Sequence, residues 1–177
     1  MKNSYALVTG ASSGIGLEIS NELAKQGFNV ILTARRQDKL RNEAEKIQRK
    51  YNVAVDFISS DLSDIDAPNK IFNFCEQKNY QVDILVNNAG YGIKTSFHET
   101  PMEDEEKFIR VLGTSVIALS KAFLPKMMER NFGKIMIVSS VAAFAPPSSI
   151  QALYGPIKTF MNLSLIHISE PTRLSWI

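Results

Sequence analysis

The chain has 177 residues, of which 45% are hydrophobic and 21% charged, and its formal net charge is +2. This size and composition predict one globular domain, and so small a net charge gives no reason to expect nucleic acid or a membrane as a partner. The single cysteine, Cys75, excludes an internal disulfide and favours a reducing compartment, so we expect a cytoplasmic protein. We expect the sequence to contain no apolar run long enough to span a bilayer.

The order of strands and helices follows from short apolar runs and from the helical spacing of apolar side chains. Five apolar runs predict strands over residues 5–8, 29–33, 53–58, 82–86 and 134–138. Helices are predicted over residues 15–26, 37–51, 64–79 and from the segment 100–103 towards Arg130. A capping box over residues 100–103, with Pro101 at the first helical position, opens the last of them. Continuous apolar strands that alternate with helices are typical of a parallel sheet covered on both faces, so the expected fold class is α/β.

Three glycines lie where the first strand passes into the first helix. They have the spacing G-x-x-x-G-x-G, and such a turn lets the backbone approach a pyrophosphate at the helix amino terminus. A tight turn without a ligand is the alternative interpretation of the same glycines. The residues predicted to hold the phosphates of a dinucleotide are Gly10, Ser12, Ser13, Gly14, Ile15 and Gly16.

The end of the second strand indicates which dinucleotide is preferred. An acidic residue that binds the ribose 2′-hydroxyl of NAD is expected there, but this chain has Arg35 and Arg36. Guanidinium groups suit a phosphate because they make forked, charge-assisted hydrogen bonds, so NADP is favoured over NAD. Alternatively, the two arginines are solvated residues that open a basic helix.

Tyr154 and Lys158 are spaced by one helical turn, which brings a cation beside a phenol. The cation stabilises a phenolate, so the phenol can serve as a general acid or base. Pro156 lies between them and is tolerated only in the first turn of a helix, so this helix is predicted to begin within residues 153–155. A proton donor combined with a dinucleotide predicts reduction of a carbonyl or oxidation of an alcohol.

Four segments together resemble the short-chain dehydrogenase/reductase family, in its compact branch. They are residues 9–16, Asp61-Leu62, Asn87-Asn88-Ala89-Gly90, and Ser140 with Tyr154 and Lys158. The resemblance implies a Rossmann-type doubly wound parallel sheet and an NADP-dependent oxidoreductase that transfers a hydride between nicotinamide and an alcohol/carbonyl pair, without a metal. It also implies a small-molecule carbonyl or alcohol as substrate and a homo-oligomeric assembly.

The same resemblance assigns roles to individual positions. Tyr154 is the general acid that protonates the carbonyl oxygen, Lys158 holds the nicotinamide ribose, and Ser140 hydrogen-bonds the substrate oxygen. Further cofactor contacts are implied for Asp61, Leu62, Asn88, Ala89 and Gly90.

Two positions depart from the family pattern. The family usually has an asparagine where this chain has Arg110, so a water relay to Lys158 is in question. Arg110 either brings a cation close to Lys158 or turns outward. Ser140 lies one residue farther from Tyr154 than is usual, and Ser139 is the alternative to it.

The carboxyl end does not resemble the family. Residues 163–173 are similar to the translation of a sequencing-library adapter. His167 lies in this segment, so we do not expect it to be a catalytic base. We therefore expect residues 1–162 to form a partial NAD(P)-binding Rossmann domain, incomplete at its carboxyl end, and residues 163–177 to be a non-native tail. Besides an enzyme, a nucleotide-sensing or scaffold protein on the same fold and an inactive fragment are the alternatives.

Overall fold

The computed structural model describes residues 4–146 and 152–169, and in them five parallel strands form one sheet. The order across the sheet is β3-β2-β1-β4-β5, so β5 is the edge strand next to β4. The expected α/β class and doubly wound topology are confirmed. The strands are β1 (Ser4–Thr9), β2 (Asn29–Ala34), β3 (Val55–Ser59), β4 (Gln81–Asn87) and β5 (Lys134–Ile137).

Six α-helices and three shorter helical turns connect and flank the strands. The helices are α1 (Gly14–Lys25), α2 (Gln37–Tyr51), α3 (Ala67–Gln77), α4 (Met102–Ile109), α5 (Ser115–Glu129) and α6 (Tyr154–Ser169). A π-helical turn, Arg110–Thr114, joins α4 to α5, and 3₁₀ turns span Phe97–Glu99 and Val141–Ala143. Helix α6 begins within the predicted range and continues past Asn162, where the native sequence was expected to stop.

The core has two layers, one on each face of the sheet. Alternate side chains of a strand point to opposite faces, so Leu7 packs with α3 and α5 while Val8 packs with α1 and α2. Cys75 is buried in the first layer, and burial raises the pKa of its thiol to about 12. This cysteine is therefore a packing residue, as its position on an apolar helix face indicates.

A buried polar cluster fixes the amino-terminal end of β4. The Asp83 carboxylate accepts hydrogen bonds from the Ser4 hydroxyl at 2.6 Å and from the Arg130 guanidinium at 3.1 Å. Arg130 also donates to the Val82 carbonyl at 2.9 Å, which ties the end of α5 to the sheet. Ligands of open α/β sheets bind at the opposite, carboxyl-terminal edge.

The predicted capping box is wrong. Helix α4 begins at Met102 with Pro101 as its N-cap, and no side chain in the described part of the chain caps it. The Thr100 hydroxyl instead donates to the Ser96 carbonyl at 2.9 Å, because a 3₁₀ turn ends directly before it. Glu103 forms an ion pair with Lys107 at 2.6 Å, one helical turn further along.

The expectation about membrane-spanning runs also needs correction. Met102–Glu129 is helical over 28 residues and is long and apolar enough to cross a bilayer by length and composition alone. Half of its most apolar stretch is buried inside the protein. A helix that packs in a protein core has the same composition, so the finding is weak evidence for a membrane span.

Candidate cofactor and catalytic site

A cleft runs along the carboxyl-terminal ends of β1 and β4, where the chain turns from one half of the sheet to the other. It comprises two cavities of about 430 and 530 Å³ that share lining residues, so they form one continuous space. Open α/β sheets bind ligands at this topological switch point. The shared residues are Gly10, Ser13, Ala89, Gly90 and Tyr91.

The glycine turn leaves no room for side chains at two positions. Gly10 has φ +68°, and a Cβ atom there would lie 2.8 Å from the Asn88 side-chain nitrogen. A Cβ atom on Gly16 would lie 2.4 Å from the same nitrogen and 2.5 Å from the Gly10 carbonyl oxygen. Gly14 also has a left-handed backbone, with φ +59°, but a Cβ atom there would meet nothing within 4 Å. Gly10 and Gly16 therefore serve close packing, whereas Gly14 serves backbone shape alone.

Thr9 and Asn88 hold the two strand ends together beneath this turn. The Thr9 hydroxyl accepts hydrogen bonds from the backbone N–H groups of Asn88 and Ala89, at 2.9 and 3.0 Å, and donates to the Val86 carbonyl at 3.2 Å. The Asn88 amide donates to the Thr9 carbonyl at 2.9 Å. Asn88 thus shapes the cleft from below, with its side-chain nitrogen bonded to the backbone of the turn.

The end of the cleft next to β2 and β3 is basic. Arg35, Arg36 and Lys107 line it together with Asp61 and Leu62. The Arg36 guanidinium donates to the hydroxyls of Ser12 and Ser13, at 3.1 and 3.2 Å. Asp61 is occupied locally, since its carboxylate accepts from the backbone N–H and the hydroxyl of Ser63 at 2.9 and 2.8 Å.

Neither Arg35 nor Arg36 forms an ion pair with a carboxylate of the described residues, and both are exposed. Thr33, at the end of β2, also lines this part of the cleft, and its buried hydroxyl has no hydrogen-bond partner among the described residues. Guanidinium groups without carboxylate partners, an unsatisfied hydroxyl and a cradle of glycines suit the phosphates and ribose of a dinucleotide. The residues present therefore fit a nicotinamide dinucleotide.

The other end of the cleft holds Tyr154 and Lys158, which the structure brings together as predicted. The Lys158 ammonium lies 5.8 Å from the centre of the Tyr154 ring and donates to the Val138 carbonyl at 2.7 Å. Only 6% of the Lys158 surface is exposed, and this burial lowers its pKa. The Tyr154 ring packs at 6.3 Å from the ring of Phe108 in α4. The hydrogen bond to Val138 fixes Lys158 against the end of β5, so its ammonium group can orient groups around the Tyr154 phenol.

The two serines after β5 lie in different surroundings. The Ser140 hydroxyl accepts a hydrogen bond from the Ala142 backbone N–H at 3.2 Å and caps a 3₁₀ turn. Ser139 lines the cleft with Tyr154 and Lys158, and its buried hydroxyl has no partner among the described residues. Both serines are within the chain segment expected to meet the substrate.

Arg110 turns outward, away from the cleft. It lines a separate groove with Asp64 and Ile65 on the far side of the π-helical turn. Leu112, 1% exposed, packs beneath Gly90 instead. The interpretation that places a cation beside Lys158 is therefore wrong, because the π-helical turn rotates Arg110 off the cleft-facing side.

Two residues of this region were missed at the level of sequence. Tyr91 lines both halves of the cleft, and its ring makes an edge contact with Phe108 at 5.5 Å. The position of Tyr91 directly after Gly90 was the sequence feature that could have identified it. Glu105 is buried beside Tyr154, but nothing distinguished it from the neighbouring acidic residues of α4.

Comparison with known proteins agrees with this geometry. The family model described as short chain dehydrogenase matches residues 4–165. A very-long-chain 3-oxoacyl-CoA reductase of Laccaria bicolor is 34% identical over 176 residues, which is 97% of this chain and 51% of the relative. The chain spans about half the length of the first curated relatives that it matches.

Solved structures give the same result. A metagenomic short-chain oxidoreductase in complex with NADP superposes with a TM-score of 0.90 at 31% identity, over 98% of this chain and 78% of that one. L-Sorbose reductase from Gluconobacter frateurii, complexed with NADPH and L-sorbose, has a TM-score of 0.85 at 28% identity, over 95% and 67% of the two chains. The glycine cradle, the tyrosine–lysine pair and these matches show that the chain belongs to the short-chain dehydrogenase family of oxidoreductases.

Proposed function

We propose that the protein is an NADP(H)-dependent oxidoreductase that interconverts a small-molecule carbonyl and its alcohol. One observation carries the proposal: the glycine cradle and the Tyr154–Lys158 pair lie in one continuous cleft. A cradle alone fits any nucleotide-binding protein, whereas a phenol beside a buried cation is needed only where a proton is exchanged. A sensor or scaffold on this fold would have no use for the pair.

The bound dinucleotide supplies or accepts the hydride. The chain's own residues bind it, orient the substrate and move the proton. The Tyr154 hydroxyl donates its proton to the carbonyl oxygen in reduction and takes it back in oxidation. Lys158, anchored on the Val138 carbonyl, places a positive charge beside the phenol and favours its ionised form after the proton has left. A serine hydroxyl, Ser140 by resemblance or Ser139 by its place in the cleft, holds the substrate oxygen.

NADP is the preferred cofactor in this proposal. Arg35 and Arg36 stand where an acidic residue would bind the 2′-hydroxyl of NAD, and their guanidinium groups lack carboxylate partners among the described residues. The hydrogen bonds from Arg36 to Ser12 and Ser13 hold one guanidinium at the mouth of the glycine turn. A 2′-phosphate placed there gains charge-assisted hydrogen bonds that a hydroxyl cannot make.

Oxidation of NADPH in the presence of a panel of ketones and aldehydes tests the proposal. The assay uses two proteins. One is the 177-residue chain, and the other joins residues 1–162 of this chain to the carboxyl-terminal region of the metagenomic relative. Turnover that Tyr154→Phe abolishes, with NADPH still bound, supports the proposal. NADPH binding without turnover of any carbonyl in either protein would favour a nucleotide sensor and overturn the assignment as an enzyme.

A further inference from the structure

Glu105 is a buried carboxylate that the reaction outlined above does not use. It lies in the first turn of α4, and 6% of its surface is exposed. Its Oε2 atom is buried and has no hydrogen-bond partner among the described residues. Burying a carboxylate oxygen without a partner is costly, so an atom of this kind in a folded protein requires an explanation.

Helix stability does not explain why Glu105 points inward. Acidic residues in the first turn favour the helix dipole, but Glu103 and Asp104 already supply that charge from exposed positions. Asp83 shows what a structural carboxylate in this protein looks like, since it is buried and accepts hydrogen bonds from both Ser4 and Arg130. Glu105 has the burial of Asp83 without its partners.

The cavity that Glu105 lines adjoins the proton donor. Tyr154 forms part of the same wall, and Ile93, Phe97 and Phe108 supply apolar surface around the carboxylate. Apolar walls strengthen any hydrogen bond made inside them, because water cannot compete for it. The cavity has no room for a water molecule in this conformation, and one of its lining side chains, Phe97, is 59% exposed. Access of a small polar group to the carboxylate requires this ring to turn aside.

We propose that Glu105 is a specificity-determining residue that accepts a hydrogen bond from a hydroxyl group next to the reacting carbonyl. This inference rests on the proposed function and names its substrate class, the hydroxyketones, which include ketose sugars. A carboxylate oxygen such as Oε2 accepts hydrogen bonds, so it selects a donor on the substrate. A 3-oxoacyl chain has methylene groups on both sides of its 3-oxo group and offers no such donor. The site therefore fits a hydroxyketone and disfavours a fatty acyl thioester.

Hydroxyacetone and 2-butanone form a matched pair of probes, because a hydroxyl group in the first replaces a methyl group in the second. Saturation-transfer NMR gives their dissociation constants for the 177-residue chain loaded with NADP⁺. We expect hydroxyacetone to bind about tenfold or more tightly than 2-butanone, as for a hydrogen bond to a charged group. Glu105→Leu removes this preference and leaves 2-butanone binding unchanged. Glu106→Gln, an exposed neighbour, is the control and retains the preference.

The outcomes separate this inference from the proposed function. Equal binding of the two ketones, no detectable binding of either, or a preference that survives in Glu105→Leu overturns the role of Glu105. If Glu105→Leu does not fold, Glu105→Gln decides, since an amide keeps the shape and weakens the acceptor, so that an undiminished preference contradicts the inference. A preference that depends on Glu105 without oxidation of NADPH supports the subsite and counts against the enzyme.

Discussion

Replacement of Gly16 by alanine tests whether the glycine turn is close-packed as the structure indicates. The added Cβ atom would lie 2.4 Å from the Asn88 side-chain nitrogen and 2.5 Å from the Gly10 carbonyl oxygen. Either Asn88 moves and gives up its 2.9 Å hydrogen bond to the Thr9 carbonyl, or the Gly10 carbonyl shifts. Overpacking costs about 1–3 kcal/mol, and loss of this part-buried hydrogen bond adds about 1 kcal/mol. We expect the free energy of unfolding to fall by roughly 2–4 kcal/mol.

Urea denaturation measures this change in the free energy of unfolding. A loss of that size corresponds to a melting temperature lower by about 5–15 °C in a domain of this size. Gly14→Ala is the matched control, because its Cβ atom would meet nothing within 4 Å and only its backbone angle, φ +59°, opposes the change. It should cost about 1–2 kcal/mol. If Gly16→Ala unfolds at the same urea concentration as Gly14→Ala, the contact with Asn88 does not constrain the turn.

Four further substitutions probe the catalytic end of the cleft. Tyr154→Phe should abolish turnover and leave the NADPH dissociation constant nearly unchanged, since the hydroxyl gives the proton and does not hold the cofactor; more than a small residual rate would mean that another acid acts. Burial lowers the pKa of Lys158, so the unfolded chain holds the Lys158 proton more firmly than the folded chain does. The contribution of Lys158 to the free energy of unfolding therefore rises with pH between its lowered pKa and the ordinary value of 10.5. Lys158→Met should remove that slope while turnover is lost; an unchanged pH dependence of unfolding would contradict the reasoning. Ser139→Ala and Ser140→Ala should separate the serines: loss of turnover with unchanged melting identifies the one that holds the substrate oxygen, and full activity in both would exclude this role.

The fold could be predicted from the sequence because its signals are local and repeated. The apolar runs predicted each strand to within about two residues, and Gln37–Tyr51 matched the predicted helix at both ends. The capping box failed because a 3₁₀ turn, which short-range patterns do not reveal, takes the Thr100 hydroxyl. The π-helical turn Arg110–Thr114 was also missed, and with it the outward direction of Arg110.

The candidate site was predictable where a motif places residues at fixed spacing. The glycine turn, Tyr154 and Lys158 lie in one cleft as expected, because parallel strands bring their carboxyl ends to one edge of the sheet. The role of Asn88 in packing against Gly16 depends on contacts between residues distant in sequence, and only the structure shows it. Glu105 could not be selected from residues 103–106, which are all acidic, because burial alone distinguishes it.

The dissociation constants of NADPH and NADH test the central claim most directly, since they need no knowledge of the substrate. Fluorescence titration of the 177-residue chain should give NADPH an affinity about tenfold or more above that of NADH, because the 2′-phosphate gains charge-assisted bonds worth roughly 1.5–3 kcal/mol. Arg35→Ala or Arg36→Ala should reduce this ratio, whereas Arg41→Ala, exposed on α2 and outside the cleft, should not. Equal affinities for the two dinucleotides, or no binding of either by the folded chain, would contradict the account.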